Sequence, residues 1–118
     1  MEKKETLNKN LKITLDVQEV AALVGETCIE CYGVVGLTSG DSLRNKLVIL
    51  KRDNYVDGVF VSKEKNKFYL DVHLVCAYGV KISEIVTEVN KRLTYILSKK
   101  YGELFTRVNV YVDEIREL

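Results

Sequence analysis

Two apolar stripes with identical spacing constrain this chain more than any other feature of its sequence. Val17, Val20, Ala21, Val24, Cys28, Cys31 and Tyr32 form the first, and Ile82, Ile85, Val86, Val89, Leu93, Ile96 and Leu97 form the second. Each follows i, i+3, i+4, i+7, i+11, i+14, i+15, which is one continuous face of an α-helix. Two amphipathic helices of this kind need a common apolar surface to lie on. Asp16 reads as the N-cap of the first helix, with Glu19 three residues on in a capping-box arrangement. That helix is expected to run to about Tyr32 and to stop at Gly33, which tolerates a positive φ. Lys99 and Lys100 suit the negative end of the second helix, and Gly102 closes it.

The surface for these helices is a sheet. "LKITL" (11–15) alternates as a short strand, with Leu11, Ile13 and Leu15 on one side. "VDGVFVSK" and "EKNKFYLDVHLVCAYG" read as two strands joined at Glu64–Lys67. In the longer one Phe68, Leu70, Val72, Leu74 and Cys76 share the inward side, and Tyr69, Asp71, His73 and Val75 take the other. "FTRVNVYVDEI" turns Val108, Val110 and Val112 inward and Arg107, Asn109, Tyr111 and Asp113 outward. "DSLRNKLVILKRDN" fits a short helix from Ser42 to about Arg52, although "KLVILK" also fits a strand. The predicted architecture is α+β, a two-layer sandwich of order βα(α)ββαβ with helices on one face of a mostly antiparallel sheet. Residues 1–10 read as a flexible tail and 11–118 as a single domain.

Lys and Arg number 18 against 17 acids, a net charge of +1 that calls for neither nucleic acid nor anionic lipid. No apolar run approaches the roughly 20 residues of a membrane span, and "MEKKETLNKN" lacks the apolar core of a signal peptide. Three cysteines make a poor disulfide framework. A cytoplasmic location without direct membrane insertion follows as the expectation.

Cys28 and Cys31 form a C-x-x-C, which invites a redox or zinc reading. Their position argues against the first. Catalytic pairs need a thiolate and sit at helix N-termini, whereas these occupy the last turns of a helix on its buried stripe. Zinc would need His73 and Cys76 as further ligands, but residues three apart on a strand point to opposite faces. The pair reads as core packing, so neither a metal nor a cofactor is expected and no catalytic residue is assigned. The turn Gly33-Val34-Val35-Gly36 matches in letters the G-x-x-G of RNA-binding KH domains, and an RNA-binding module is the alternative reading. Its apolar centre and the neutral chain weigh against it.

Three segments in order, "CYGVVGL" (31–37), "LDVHLVCAYGVKISEIVTEVNKRL" (70–93) and "RVNVYV" (107–112), resemble the alkaline-shock or general-stress protein family of Gram-positive bacteria. The resemblance spans most of residues 11–115. This chain departs from the family's pattern at Ala77, where a glutamate is usual, at Ser83, where a proline is usual, and at Tyr32. The resemblance implies a cytoplasmic, non-catalytic protein of the envelope stress response that self-associates or binds a protein partner, including one anchored in the membrane. The residues that would meet such a partner are those of the outward sheet face: Tyr69, Asp71, His73, Arg107, Asn109 and Tyr111, with Phe60 beside them.

Overall fold

A computed structural model describes residues 15–117. The expected tail over 1–10 and all of the expected strand over 11–15 except Leu15 lie outside the described residues. The elements are α1 (Val17–Ile29), β1 (Val34–Leu37), β2 (Ser42–Leu43), β3 (Lys46–Leu47), a 3₁₀ turn (Arg52–Asp57), β4 (Val59–Glu64), β5 (Lys67–Ala77), α2 (Ile82–Tyr101) and β6 (Phe105–Arg116).

Strand β5 organises the sheet. Its first half pairs antiparallel with β4, from Val59 opposite Val72 to Glu64 opposite Lys67. Its second half pairs antiparallel with β1, where Val34 opposes Cys76 and Leu37 opposes Leu74. Both occupy one edge of β5. Along the other edge β6 runs parallel, from Phe105 opposite Phe68 to Arg116 opposite Ala77. The parallel pairing requires a crossover, and α2 supplies it. Two hairpin turns use left-handed residues, Arg44-Asn45 (φ 53° and 66°) and Lys65-Asn66 (φ 50° and 67°). This is the conformation a two-residue loop needs to match strand twist, and asparagine accepts it readily.

Both helices lie on one side of the sheet. The core joins Val17, Val20, Ala21, Val24 and Cys28 of α1 to Ile85, Val89, Leu93 and Leu97 of α2, with Phe68, Leu70, Val72, Leu74 and Cys76 of β5 beneath them. Asp16 caps α1, its carboxylate accepting from the Gln18 and Glu19 amides at 3.0 and 3.3 Å. Glu19 does not return the bond of a capping box. It pairs instead with Lys100 at 2.6 Å, which ties the start of α1 to the end of α2.

The α+β class and the one-sided helix layer hold, while two local expectations are corrected. The segment expected as a helix from Ser42 to about Arg52 is the β2–β3 hairpin followed by the 3₁₀ turn, because the Arg44-Asn45 turn folds the chain back. Helix α1 ends at Ile29, one turn early, so Cys31 stays buried while Tyr32 swings out to 84% exposure. The stripe extends only as far as the helical dihedrals do.

Candidate functional site: the outward face of the sheet

The side of the sheet away from the helices divides in two. At the end near Val75, the chain covers itself. Leu47 donates its amide to Glu114 Oε1 at 2.8 Å, and its carbonyl accepts from the Arg116 guanidinium. Arg116 also holds Glu114, Nε to Oε2 at 2.8 Å. Ile49 then lies over Gly36, where a Cβ would stand 2.5 Å from Ile49 Cγ2. Since Gly36 opposes Val75 and Glu114 flanks Val75 from β6, residues 47–49 cross the sheet directly over Val75. Val75 is fully buried there although it faces away from the helices. The Leu47 amide, helped by Arg116, holds the Glu114 carboxyl below its ordinary range.

Beyond the crossing, the segment leaves the face. Leu50 donates to the Leu37 carbonyl at 2.8 Å, and Tyr55 packs onto α1 at Gly25, where a Cβ would come within 2.1 Å of its ring. The expectation of an uncovered outward face is therefore corrected for this half.

The other half stays open, and it gathers the expected residues. The parallel register places Tyr69 beside Arg107, Asp71 beside Asn109 and His73 beside Tyr111. Asn109 donates to Asp71 Oδ1 at 2.9 Å. His73 stacks on Tyr111 with ring centroids 4.9 Å apart and meets the edge of Phe60 at 5.5 Å. Its Nδ1 lies 2.9 Å from Asp113 Oδ2, and since an ionised carboxylate only accepts, the imidazole nitrogen carries that proton. Phe60 and Tyr111 are 37% and 44% exposed, an aromatic pair left facing solvent with a polar frame fixed around it.

Asp113 is the member of this cluster that the sequence did not assign to the site. Alternation placed it outward, but its partnership with His73 depends on the parallel alignment of β5 and β6. No local signal carries that alignment.

The cysteines take the core positions expected of them. Cys28, Cys31 and Cys76 are free thiols, all buried. Burial raises all three and pushes Cys76 to about 11, while Cys31 and Cys76 beside Cys28 push it further in the same direction. A thiol raised in this way is a poor nucleophile and a poor metal ligand at neutral pH. His73 stands on the opposite side of the sheet from Cys76. Among the described residues no group of three or more His, Cys, Asp or Glu side chains is placed to hold a metal ion.

The Gly33-Val34-Val35-Gly36 segment is corrected from a turn to a strand entrance. Val34–Leu37 is β1, paired to β5. Gly33 (φ 89°) is packed against Ile85 and Val80, and Gly36 lies under Ile49. An exposed loop with its amides free for a phosphate, which the RNA reading requires, is not formed. No helix among the described residues is long and apolar enough to cross a membrane.

Comparison with known proteins agrees with the motifs. Residues 3–117 match the alkaline shock protein 23 family, described by a cell envelope-related function. An uncharacterized protein, YloU, of Bacillus subtilis strain 168 is 30% identical over 113 residues, covering 95% of this chain and 94% of the relative. A second, Spy1614 of Streptococcus pyogenes serotype M6, is 34% identical over 105 residues, covering 88% and 87%. Among solved structures, a manganese form of the MamM C-terminal domain aligns with a TM-score of 0.49 at 10% identity, over 84% of this chain and 99% of that one. That likeness is too low to establish a shared fold. The family match over nearly the whole chain and the two relatives agree, and the chain belongs to the alkaline shock protein family of cell envelope-related function.

Proposed function

We propose that this protein is a non-catalytic adaptor of the envelope stress response, working in the cytoplasm and docking a protein partner on the open half of its outward sheet face. One observation carries the reading: Phe60, His73 and Tyr111 form a contiguous ring cluster on solvent-exposed sheet, held in place by Asp113. Aromatic side chains are enriched where proteins meet, since they bring large contact area at small conformational cost. The cluster is also ordered before any partner arrives, which lowers the entropy lost on binding. The contacts of His73 are two rings and a carboxylate, an arrangement that fixes the imidazole and suits recognition.

The test is an affinity capture from membrane-containing lysate with wild type and a Phe60→Ser/Tyr111→Ser variant, each checked for native melting. The reading expects a defined protein retained by wild type and lost from the variant. Equal retention by both would remove the face from the account. A membrane-anchored partner would appear only when the membranes are solubilised with the lysate.

A further inference from the structure

The two helices are tied together at one end and parted toward the other. Glu19 at the start of α1 pairs with Lys100 at the end of α2. Near the end of α1 a groove of about 470 Å³ opens between them, with Thr27 and Glu30 on one wall and two turns of α2, from Glu88 to Ile96, on the other. It lies on the helix side of the molecule, away from the ring cluster. Its apolar part is Ile96, half-buried against the core, and Tyr95, which is 62% exposed. Thr27 donates its hydroxyl to the Leu23 carbonyl at 2.8 Å, so it asks no polar partner of a ligand.

The charges around the groove are sorted by wall. Helix α1, "VQEVAALVGETCI", contains no basic residue, and the exposed Glu30 follows it at its negative end. Glu26 is answered by Arg52; Glu30 is not answered. On α2, Arg92 holds Glu88, Nε to Oε2 at 3.1 Å, which leaves Lys91. Among the described residues neither Glu30 nor Lys91 has an ion-pair partner, although both line the same groove. An acid beside the last carbonyls of a helix favours a cation there.

From this we infer that the groove docks one amphipathic helix of a partner protein, with a basic side chain on the edge that meets Glu30 and an acidic one on the edge that meets Lys91. The walls are side chains on helices whose backbone groups are bonded internally. An added strand would find no ladder to join there, whereas a third helix brings its own hydrogen bonds. Two turns of α2 span about 11 Å, room for two apolar anchors one turn apart, at i and i+3 or i+4. The helices of a second copy do not supply them: Ile29 is the only large apolar side chain exposed on α1, and Tyr95 the only one on α2. The inference goes beyond docking on the sheet face and does not rest on it. With both surfaces occupied, the chain would join two proteins.

A phage library of helix-forming peptides about four turns long, panned against the full chain, tests this. Enriched peptides are expected to carry two apolar residues one turn apart, with Lys or Arg along one flank and Asp or Glu along the other. Binding of the best peptide, read by fluorescence anisotropy, should weaken about tenfold or more with Tyr95→Ser. Glu30→Lys or Lys91→Glu should each weaken it about threefold or more, by turning an attraction into a repulsion. The combined exchange should prefer the peptide with its flanking charges exchanged. All three sites are exposed, and native melting of each variant checks folding. Phe60→Ser/Tyr111→Ser should bind the peptide as wild type does. A library that yields nothing above background overturns the inference. So do peptides without the one-turn spacing, or peptides indifferent to Tyr95→Ser. A wild-type oligomer that Tyr95→Ser dissolves would put a second copy in the groove, and overturns it as well. Since the face reading is tested by capture with Phe60 and Tyr111 variants, the two can fail separately.

Discussion

The two halves of the outward face are built from the same strands and have opposite fates. Around Val75 the chain places an aliphatic side chain and then covers it with its own residues 47–49, locked by Glu114 and Arg116. Around His73 it places rings and matched polar pairs, and leaves them in solvent. An uncovered aliphatic patch costs stability, so the fold hides it. A ring cluster with satisfied hydrogen bonds tolerates water and can still bury area later. The difference separates the part of the face that maintains the fold from the part available to another molecule.

Substitutions should break this contrast in a graded way. The largest effect is expected from Val75→Asp, which buries a carboxylate beneath the 47–49 crossing beside Glu114, where Arg116 is already committed to Glu114 and the Leu47 carbonyl, and should cost about 3 kcal/mol or more in chemical denaturation. The same change at Tyr69 in the open half should cost far less.

Gly36→Ala comes next. Its Cβ would meet Ile49 Cγ2 at 2.5 Å, an overpacking cost of about 1–3 kcal/mol. Adding Ile49→Ala should return part of that loss, which a double-mutant cycle would show directly.

The crossing should also respond to acid. Glu114 has a carboxyl held below its ordinary value of 4.5 by the Leu47 amide and Arg116. A depressed folded pKa contributes stability that is present above the unfolded value and is lost as pH falls through the folded one. Protection of the Leu47 amide from hydrogen exchange, corrected for intrinsic rate, is therefore expected to decline below about pH 4.5. Glu114→Gln should start lower and show no such decline.

The smallest effect belongs to the open half. Tyr111→Ala removes the His73 stack and should cost only about 0.5–1.5 kcal/mol, by the usual worth of an aromatic pair. A cost comparable to that of Val75→Asp would mean that the ring cluster is itself part of the fold.

What the sequence disclosed follows from how local each signal is. The helical stripes and the alternation of Phe68, Leu70, Val72, Leu74 and Cys76 are periodic over many residues, and they placed the core and the outward residues directly. Val34–Leu37 is too short for any period, and Gly33 before it and Gly36 within it resemble a turn, so β1 was hidden. The β2–β3 hairpin was masked by the apolar run that follows it, although Arg44-Asn45 has the same left-handed turn chemistry as Lys65-Asn66. The site was legible as a face and incomplete as a cluster. The pairing of His73 with Asp113 and the burial of Val75 arise between residues distant in sequence, and composition or periodicity does not reach them.

The central claim is that the open half of the outward face is where this protein meets its partner. The most direct measurement replaces Tyr111 with a photoreactive phenylalanine analogue and, in a parallel protein, replaces the exposed Tyr32 beyond α1 with the same group. After illumination in membrane-containing lysate, the account predicts a discrete crosslinked protein from position 111 and little from position 32. Equal yields from both, or a product from position 32 alone, would contradict it.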